Sequence, residues 1–326
     1  MKPKHLALIA FKLLLSVFLM WLVLRHIDFS SVVERLHRVH LVYLAVGFGL
    51  TFTVIAVSAR RWEKLARGLI PFGPALRYTW IGLFYGALLP GGISGDVVKG
   101  AALALKDRST RVALLPGSIL MDRIVGFAAL LIFFTLGAAW YALSPGLESK
   151  LRSAAWIGVA GGATALIAAG ALLSATVQVR LRKLAEFWPQ RLGRNSLLQL
   201  GTTLSDYSRE PQLLLYTFSL SLFAHALNVV LFLCFFSALD VSVGPFDAMF
   251  MYSGLSVLVM VPISISAIGV RDWFALLYFQ HLHLPAEAGV AFSWLSLLFG
   301  LLVAAVGGLI QGYEFFLKSR SSVIVP

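Results

Sequence analysis

Along this chain apolar residues run for long stretches, and the polar ones gather in the intervals between. Six long, mainly apolar stretches lie at about 6–25, 41–59, 112–142, 154–176, 211–239 and 287–317. Each matches or exceeds the roughly 20 residues that a helix needs to cross the hydrocarbon layer. Backbone groups facing lipid must be satisfied within their own segment, so helix is the expected form. Two further apolar segments, 74–105 and 246–281, break near their middles, at Pro90-Gly91-Gly92 and at Pro262. Gly95 and Gly269 follow these breaks. Each limb of a broken segment has about 15 residues, too few to cross alone. The pattern predicts an all-α polytopic membrane protein. Six transmembrane helices and two re-entrant helical hairpins form one membrane domain over 1–326.

The two broken segments resemble each other. Leu89-Pro90-Gly91-Gly92-Ile93-Ser94-Gly95-Asp96-Val97-Val98-Lys99 has a counterpart in Val261-Pro262-Ile263-Ser264-Ile265-Ser266-Ala267-Ile268-Gly269-Val270-Arg271. Pro90 to Pro262 and Lys99 to Arg271 are both separated by 172 positions. Broken helices in corresponding places of two halves are a recurring sign of a transporter built from inverted repeats. The expected repeats cover about 1–145 and about 150–320. The competing explanation is a chance likeness of two proline-containing spans, since proline and glycine are common in membrane helices.

Composition narrows the class. Hydrophobic residues make up 59% of the chain and charged ones 13%, where a soluble domain carries about a quarter charged. The net charge of +12 could suggest nucleic acid, but its distribution points to membrane topology. With the N-terminus inside, the cytoplasmic intervals hold 19 Lys and Arg residues and the outer ones five. This asymmetry places both termini in the cytoplasm of a plasma (inner) membrane protein. It also requires each hairpin to enter and leave on one side. The first apolar stretch follows Lys2 and Lys4 and lacks a small-x-small cleavage site, so it reads as an uncleaved span. Cys234, the one cysteine, forms no intrachain disulfide and offers no zinc site.

Charges at membrane depth supply the candidate site. Lys99, Arg123 and Arg271 are the cations left over from the loops, and Asp96, Asp122 and Asp272 accompany them. Exposed to lipid, six such charges would cost on the order of 15–20 kcal/mol. They must pair or face a wet cavity. A purely structural ion-pair network is one outcome; a substrate site is the other, favoured because the helix breaks occur in the same places. A half-helix starting near Ser94 to Asp96 would offer free N–H groups to an anion. The planar fork of Arg271 suits phosphate oxygens. Asp96 would repel an anion and is expected to pair with Lys99 or Arg123.

Other constellations carry less. His225 and Asn228 share one face of the fifth span, where such residues mostly make interhelical hydrogen bonds. His281 and His283 lack a third ligand for a metal. Ser118, Ser264 and Ser266 have no adjacent histidine. Glu314 lies near the inner end of the last span. No phosphate loop or dinucleotide fingerprint appears, so no cofactor and no metal is expected. The basic stretch Val177 to Glu210 fits an amphipathic segment on the anionic inner leaflet, or a positively charged connector.

Three of these motifs together resemble a known family. The segment from Leu89 to Lys99 is similar to the L-P-x-x-x-x-G-D-x-x-[RK] signature of the lysylphosphatidylglycerol synthase transmembrane-region family, also called flippase-like proteins. Met121-Asp122-Arg123-Ile124-Val125-Gly126 resembles its D-R-x-x-G segment, and Gly269-Val270-Arg271-Asp272 its G-x-R-[DE] segment. The order is the family's, and the resemblance covers nearly the whole chain. It implies movement of lipids or lipid-linked molecules between leaflets, with Asp96, Lys99, Asp122, Arg123, Arg271 and Asp272 binding substrate. The implied mechanism is a polar midplane cavity that shields an anionic head group. The alternative is a non-transporting membrane partner that presents lipid to a separate synthase or glycosyltransferase. Expected partners are membrane lipids with phosphate-containing head groups, and a lipid-modifying enzyme, but no nucleic acid. The name-giving enzymes add a cytosolic aminoacyl-transfer domain. This sequence has none, so lysyl transfer is not expected of it.

Overall fold

The computed structural model describes residues 18–25, 27–88, 95–96, 98–100, 115–145, 149–174, 176–180, 183, 194–260 and 267–323. Among them the ordered elements are helices. In chain order they are α1 Phe29–His37, α2 Leu41–Leu65, α3 Phe72–Leu88, α4 Leu115–Leu143, α5 Ser149–Leu172, α6 Arg194–Ser208, α7 Pro211–Ala238, α8 Pro245–Met260, α9 Val270–His281 and α10 Ala286–Val323. Residues 18–25, the described end of the first apolar stretch, are helical too.

Several helices start where sequence chemistry sets the start. Pro211 and Pro245 open α7 and α8, Pro116 is the second residue of α4, and Pro71 and Pro285 precede α3 and α10. Proline has no N–H to leave unsatisfied in a first turn, and its φ already suits a helix. Asp28 caps α1, accepting from the Ser30 N–H at 3.1 Å, which satisfies one of the free donors of the first turn.

Five described helices are long and apolar enough to cross a bilayer: Leu41–Leu65, Leu115–Leu143, Leu151–Leu172, Pro211–Ala238 and Ala286–Phe316. They correspond to the second to sixth expected spans. The first expected span lies mostly outside the described residues. α2 runs beyond the expected end at residue 59, through Arg60 and Arg61 to Leu65. Arg61, counted with the loop cations, therefore lies within a spanning helix. Pairing, described below, is what allows the helix to continue through it.

The second broken segment contains two helices, α8 and α9. α8 and α9 pack antiparallel: the Tyr278 hydroxyl donates to the Asp247 carbonyl at 2.8 Å, the Phe250 and Tyr278 rings lie 5.8 Å apart, and Phe274 covers Gly254. The register descends on one helix as it rises on the other. In the first segment, α3 ends at Leu88 and helix resumes by Gly95. Pro90, Gly91, Gly92 and Pro262 lie outside the described residues.

The chain forms two compact units that interleave along the sequence. Unit one takes Met1–Ile55, Leu76–Ala102 and Leu227–Pro326; unit two takes Ala56–Ala75 and Leu103–Ala226. Unit one centres on an aromatic cluster. Phe236 stacks on Phe279 at 5.5 Å and meets Phe292 at 4.6 Å, while Phe235 meets Phe299 edge-on at 5.0 Å. Such ring pairs contribute about 0.5–1.5 kcal/mol each beyond their buried area. In unit two, Leu65, Met121, Val125, Leu204 and Tyr207 form a buried cluster. Leu204 and Tyr207 belong to α6, the last part of the basic stretch Val177 to Glu210. They find α2 and α4 to cover them, while residues 184–192, which carry the amphipathic reading, lie outside the described residues.

Candidate functional site

At the first break, two backbones touch. A Cβ on Gly95 would overlap the Gly82 carbonyl oxygen, and one on Gly82 would lie 2.5 Å from Lys99 Cε. Both positions need glycine for this approach. The contact brings the start of the returning helical piece against α3 and lays the Lys99 stem across Gly82. Asp96 is buried, with 5% of its surface exposed. Its carboxylate stands 3.2 Å from Lys99 Nζ, one turn along. The expected Asp96–Lys99 pairing is thus present in unit one.

At the second break, the chain passes through two left-handed residues, Ala267 with φ 58 and Gly269 with φ 83, before α9 begins. A left-handed alanine is uncommon and costs energy, of order 1–3 kcal/mol. Asp272, in the first turn, is wholly buried. One of its oxygens accepts from the Gly269 N–H at 2.9 Å, and the other accepts from the Ser293 hydroxyl of α10. Arg271 Nε lies 3.8 Å from Asp272 Oδ1, too far for a hydrogen bond. The Arg271 side chain is only 9% exposed, and among the described residues its Nε finds no hydrogen-bond acceptor. The carboxylate beside it in sequence is fixed to other groups. The guanidinium is left as a buried cation with hydrogen-bonding capacity to give.

Unit two holds a different arrangement. Arg61 on α2 forks onto Asp122 on α4, Nε to Oδ1 at 2.6 Å and Nη2 to Oδ2 at 3.1 Å. Arg61 Nη1 donates to the Ser221 hydroxyl of α7 at 3.0 Å. The Arg61 and Asp122 side chains are 12% and 16% exposed. One turn from Asp122, the Gly126 carbonyl accepts from His225 Nε2 at 3.0 Å. A Cβ on Gly126 would lie 3.2 Å from Arg61 Nη1. The last residue of the D-R-x-x-G segment is therefore where arginine passes α4 and where a histidine docks. His225 makes the interhelical hydrogen bond expected of it. Arg123, by contrast, is exposed and is not the partner of Asp122.

Further polar pairs frame these groups. The Tyr207 hydroxyl donates to the Leu65 carbonyl, Arg67 lies over its ring at 4.1 Å, and Arg67 pairs with Glu210 at 2.9 Å. Burial pushes the Tyr207 phenol up to about 12, so it stays protonated at neutral pH. In unit one Glu314 stands 2.9 Å from Arg77, so it is paired rather than simply reaching for water. Among the described residues no His, Cys, Asp and Glu group is arranged to hold a metal ion.

The candidate residues thus separate. Asp96, Lys99, Arg271 and Asp272 belong to unit one, and Asp122 and Arg123 to unit two. Arg61, Ser221 and Ser293 escaped sequence reasoning. The only prior signal for Arg61 was its place at the end of an apolar stretch, where a topology-determining cation looks the same. No curated protein and no solved structure shows significant similarity to the chain. The family model described as Lysylphosphatidylglycerol synthase TM region matches residues 9–308, nearly the full length, and the chain belongs to that family.

Proposed function

We propose that this multi-pass membrane protein is a lipid flippase or lipid transporter that moves an anionic or lipid-linked molecule between leaflets, and that Arg271 holds the phosphate of the head group. The observation that carries this reading is the buried Arg271 guanidinium, whose neighbouring carboxylate is bound to Gly269 and Ser293. A buried cation without a closed partner is costly unless something anionic visits it, and arginine presents a planar fork to phosphate oxygens. Lys99, already shared with Asp96, supplies a second cation in the same unit. The family's tie to lipid handling supports the substrate class.

In this reading 74–105 and 246–281 are re-entrant hairpins in inverted repeats, and both termini are cytoplasmic. The antiparallel packing of α8 on α9 supports the hairpin form. Single cysteines at Ser149 and Ser109, in a Cys234→Ser background, check the topology. Ser149 should react with an impermeant thiol reagent from outside and Ser109 only after permeabilisation.

The deciding experiment is leaflet-resolved exchange of acyl-labelled lipids in proteoliposomes, run on phosphatidylglycerol, phosphatidylethanolamine and a polyprenyl phosphate. A hydrogen bond to a charged group contributes about 1.5–3 kcal/mol, so Arg271→Gln should slow exchange of the preferred anionic lipid by about 10–100-fold. Arg271→Lys keeps the charge, loses the fork and should fall between. Wild-type protein that binds these lipids and exchanges none of them would refute transport and favour the lipid-presenting partner.

A further inference from the structure

The transport reading leaves open what drives uphill movement, and unit two contains a group suited to that task. α2, α4 and α7 are all apolar enough to span the membrane, yet each contributes polar atoms to one cluster. Asp122 and Gly126 are one turn apart on α4, and Ser221 and His225 are one turn apart on α7. Residues four apart share a helix face. Arg61 from α2 lies between these two faces, forked onto Asp122 and donating to Ser221. His225 closes the cluster by its hydrogen bond to the Gly126 carbonyl.

Among the described residues inside spanning helices, His225 is the histidine, and histidine alone has an ordinary pKa near neutrality. It lies midway along a helix of 28 residues. A carbonyl can only accept, so the imidazole hydrogen of the neutral ring is on Nε2. The charged group that acts on it is the Arg61 cation on α2, itself forked onto Asp122 of α4; Phe133 of α4 packs on the ring at 5.8 Å. As it stands, the Arg61–Asp122 pair is neutral as a unit. A proton on His225 makes the cluster a net cation and sets two positive groups against one carboxylate. The protonated imidazole then repels the Arg61 guanidinium beside it. Occupancy by a proton is thereby tied to the position of an arginine that links three helices.

We infer that His225, with Asp122 and Arg61, is a proton-binding site that couples lipid movement to a transmembrane proton gradient. The inference rests on the transport reading, and it names the driving ion. Ionisable residues buried in membrane helices commonly mark such proton paths.

The test uses the full-length protein in vesicles of phosphatidylcholine and phosphatidylglycerol, with acyl-labelled phosphatidylglycerol as reporter. With one proton moved per lipid, a gradient of one pH unit should shift the steady-state leaflet distribution by up to about tenfold. Reversing the gradient should reverse the shift. In His225→Gln, which can still donate to the Gly126 carbonyl, the distribution should be indifferent to the gradient. A second readout needs no transport. The calorimetric heat of phosphatidylglycerol binding should depend on the ionisation enthalpy of the buffer in wild type, reporting proton uptake, and should not in His225→Gln. Exchange that ignores the gradient, together with buffer-independent binding, overturns the proton site and leaves the transport reading intact. Buffer-dependent binding without exchange keeps the proton site and removes transport. An unaltered gradient response in His225→Gln overturns the assignment to this residue.

Discussion

Two buried arginines, each with an aspartate at hand, behave in opposite ways. Arg61 in unit two reaches a carboxylate 61 positions away and closes a two-pronged ion pair on it. Arg271 in unit one has Asp272 as its immediate neighbour and stays 3.8 Å from it. Adjacent residues on a helix point about a quarter turn or more apart and do not face each other. Both Asp122-Arg123 and Arg271-Asp272 look like close ion pairs in the sequence; Asp122 forks with Arg61 instead, and Asp272 stays a loose 3.8 Å ion pair with Arg271 without a hydrogen bond to it. Asp122 serves as a counter-ion for another helix. Asp272 serves as an anchor that fixes the start of α9 against α10. What differs is the remaining capacity: the Arg61 fork is filled by the protein, and the Arg271 Nε is not.

The comparison predicts that the two arginines fail differently when neutralised. Arg61→Gln leaves the Asp122 carboxylate buried without its cation, and losing one partner of such a pair costs about 3–5 kcal/mol. Thermal unfolding in detergent should show this as a large loss of folded protein. Adding Asp122→Asn should recover most of it, because the buried charge goes too. Arg271→Gln should unfold close to wild type while losing lipid exchange. Equal destabilisation by the two changes would erase the distinction and make Arg271 another structural cation.

Removing the anchor comes next in size. Asp272→Ala strips an acceptor from the Gly269 N–H and from the Ser293 hydroxyl, both buried, at about 1–3 kcal/mol for each group left unsatisfied. Asp272→Asn keeps one acceptor but turns a donor toward its other partner, so it should be less severe. Ser293→Ala removes only the hydroxyl and should be milder still. If Asp272 were in truth the counter-ion of Arg271, Arg271→Gln would relieve Asp272→Asn in the double variant. The anchor role predicts no such relief, and a double-mutant cycle on unfolding midpoints decides between them.

Much of this architecture is legible from residue pattern, and its limits follow from physics. Long apolar runs determine spanning helices because the bilayer demands them, so α2, α4, α5, α7 and α10 fall where the apolar stretches do. A proline inside a helix removes a hydrogen bond and clashes with the preceding turn, which is why Pro90 and Pro262 stand out as break points in the sequence. Partner choice is another matter. The Arg61–Asp122 pair depends on which faces of α2 and α4 meet, and no local pattern encodes that. Ser293 looks like any small polar residue of a membrane helix. The role of Gly126 is visible only once an arginine from one helix and a histidine from another are both seen to approach it.

Gly126 sharpens the comparison at the next smaller scale. Gly126→Ala places a methyl group 3.2 Å from Arg61 Nη1, so the guanidinium must shift by a few tenths of an ångström. Overpacking of this kind costs about 1–3 kcal/mol, with the low end expected here because a side-chain tip can yield. The same methyl leaves Arg271 untouched. Exchange driven by a proton gradient should weaken more than exchange down a lipid gradient. Gly95→Ala makes the matching test in unit one, where the added methyl meets the Gly82 backbone. Backbone cannot yield as a side chain does, so its unfolding midpoint should drop further than that of Gly126→Ala.

The smallest expected effect lies outside the membrane helices, at the cap of α1, and it calibrates the buried pairs. Asp28 accepts from the Ser30 hydroxyl at 2.8 Å and the Ser31 hydroxyl at 2.9 Å. These bonds, the Ser30 one first, hold its carboxyl below the ordinary value of 3.8. A lowered folded value means that the capping contribution is present in full above the ordinary value. It is lost as the pH falls below 3.8 through the lowered one. The group is exposed, so water and salt screen it and the contribution is small. Asp28→Asn can still cap but does not titrate. Its unfolding midpoint should therefore track wild type at neutral pH, and between pH 5 and pH 3 should fall slightly less steeply. Parallel curves through that interval would show that the cap adds nothing through its charge.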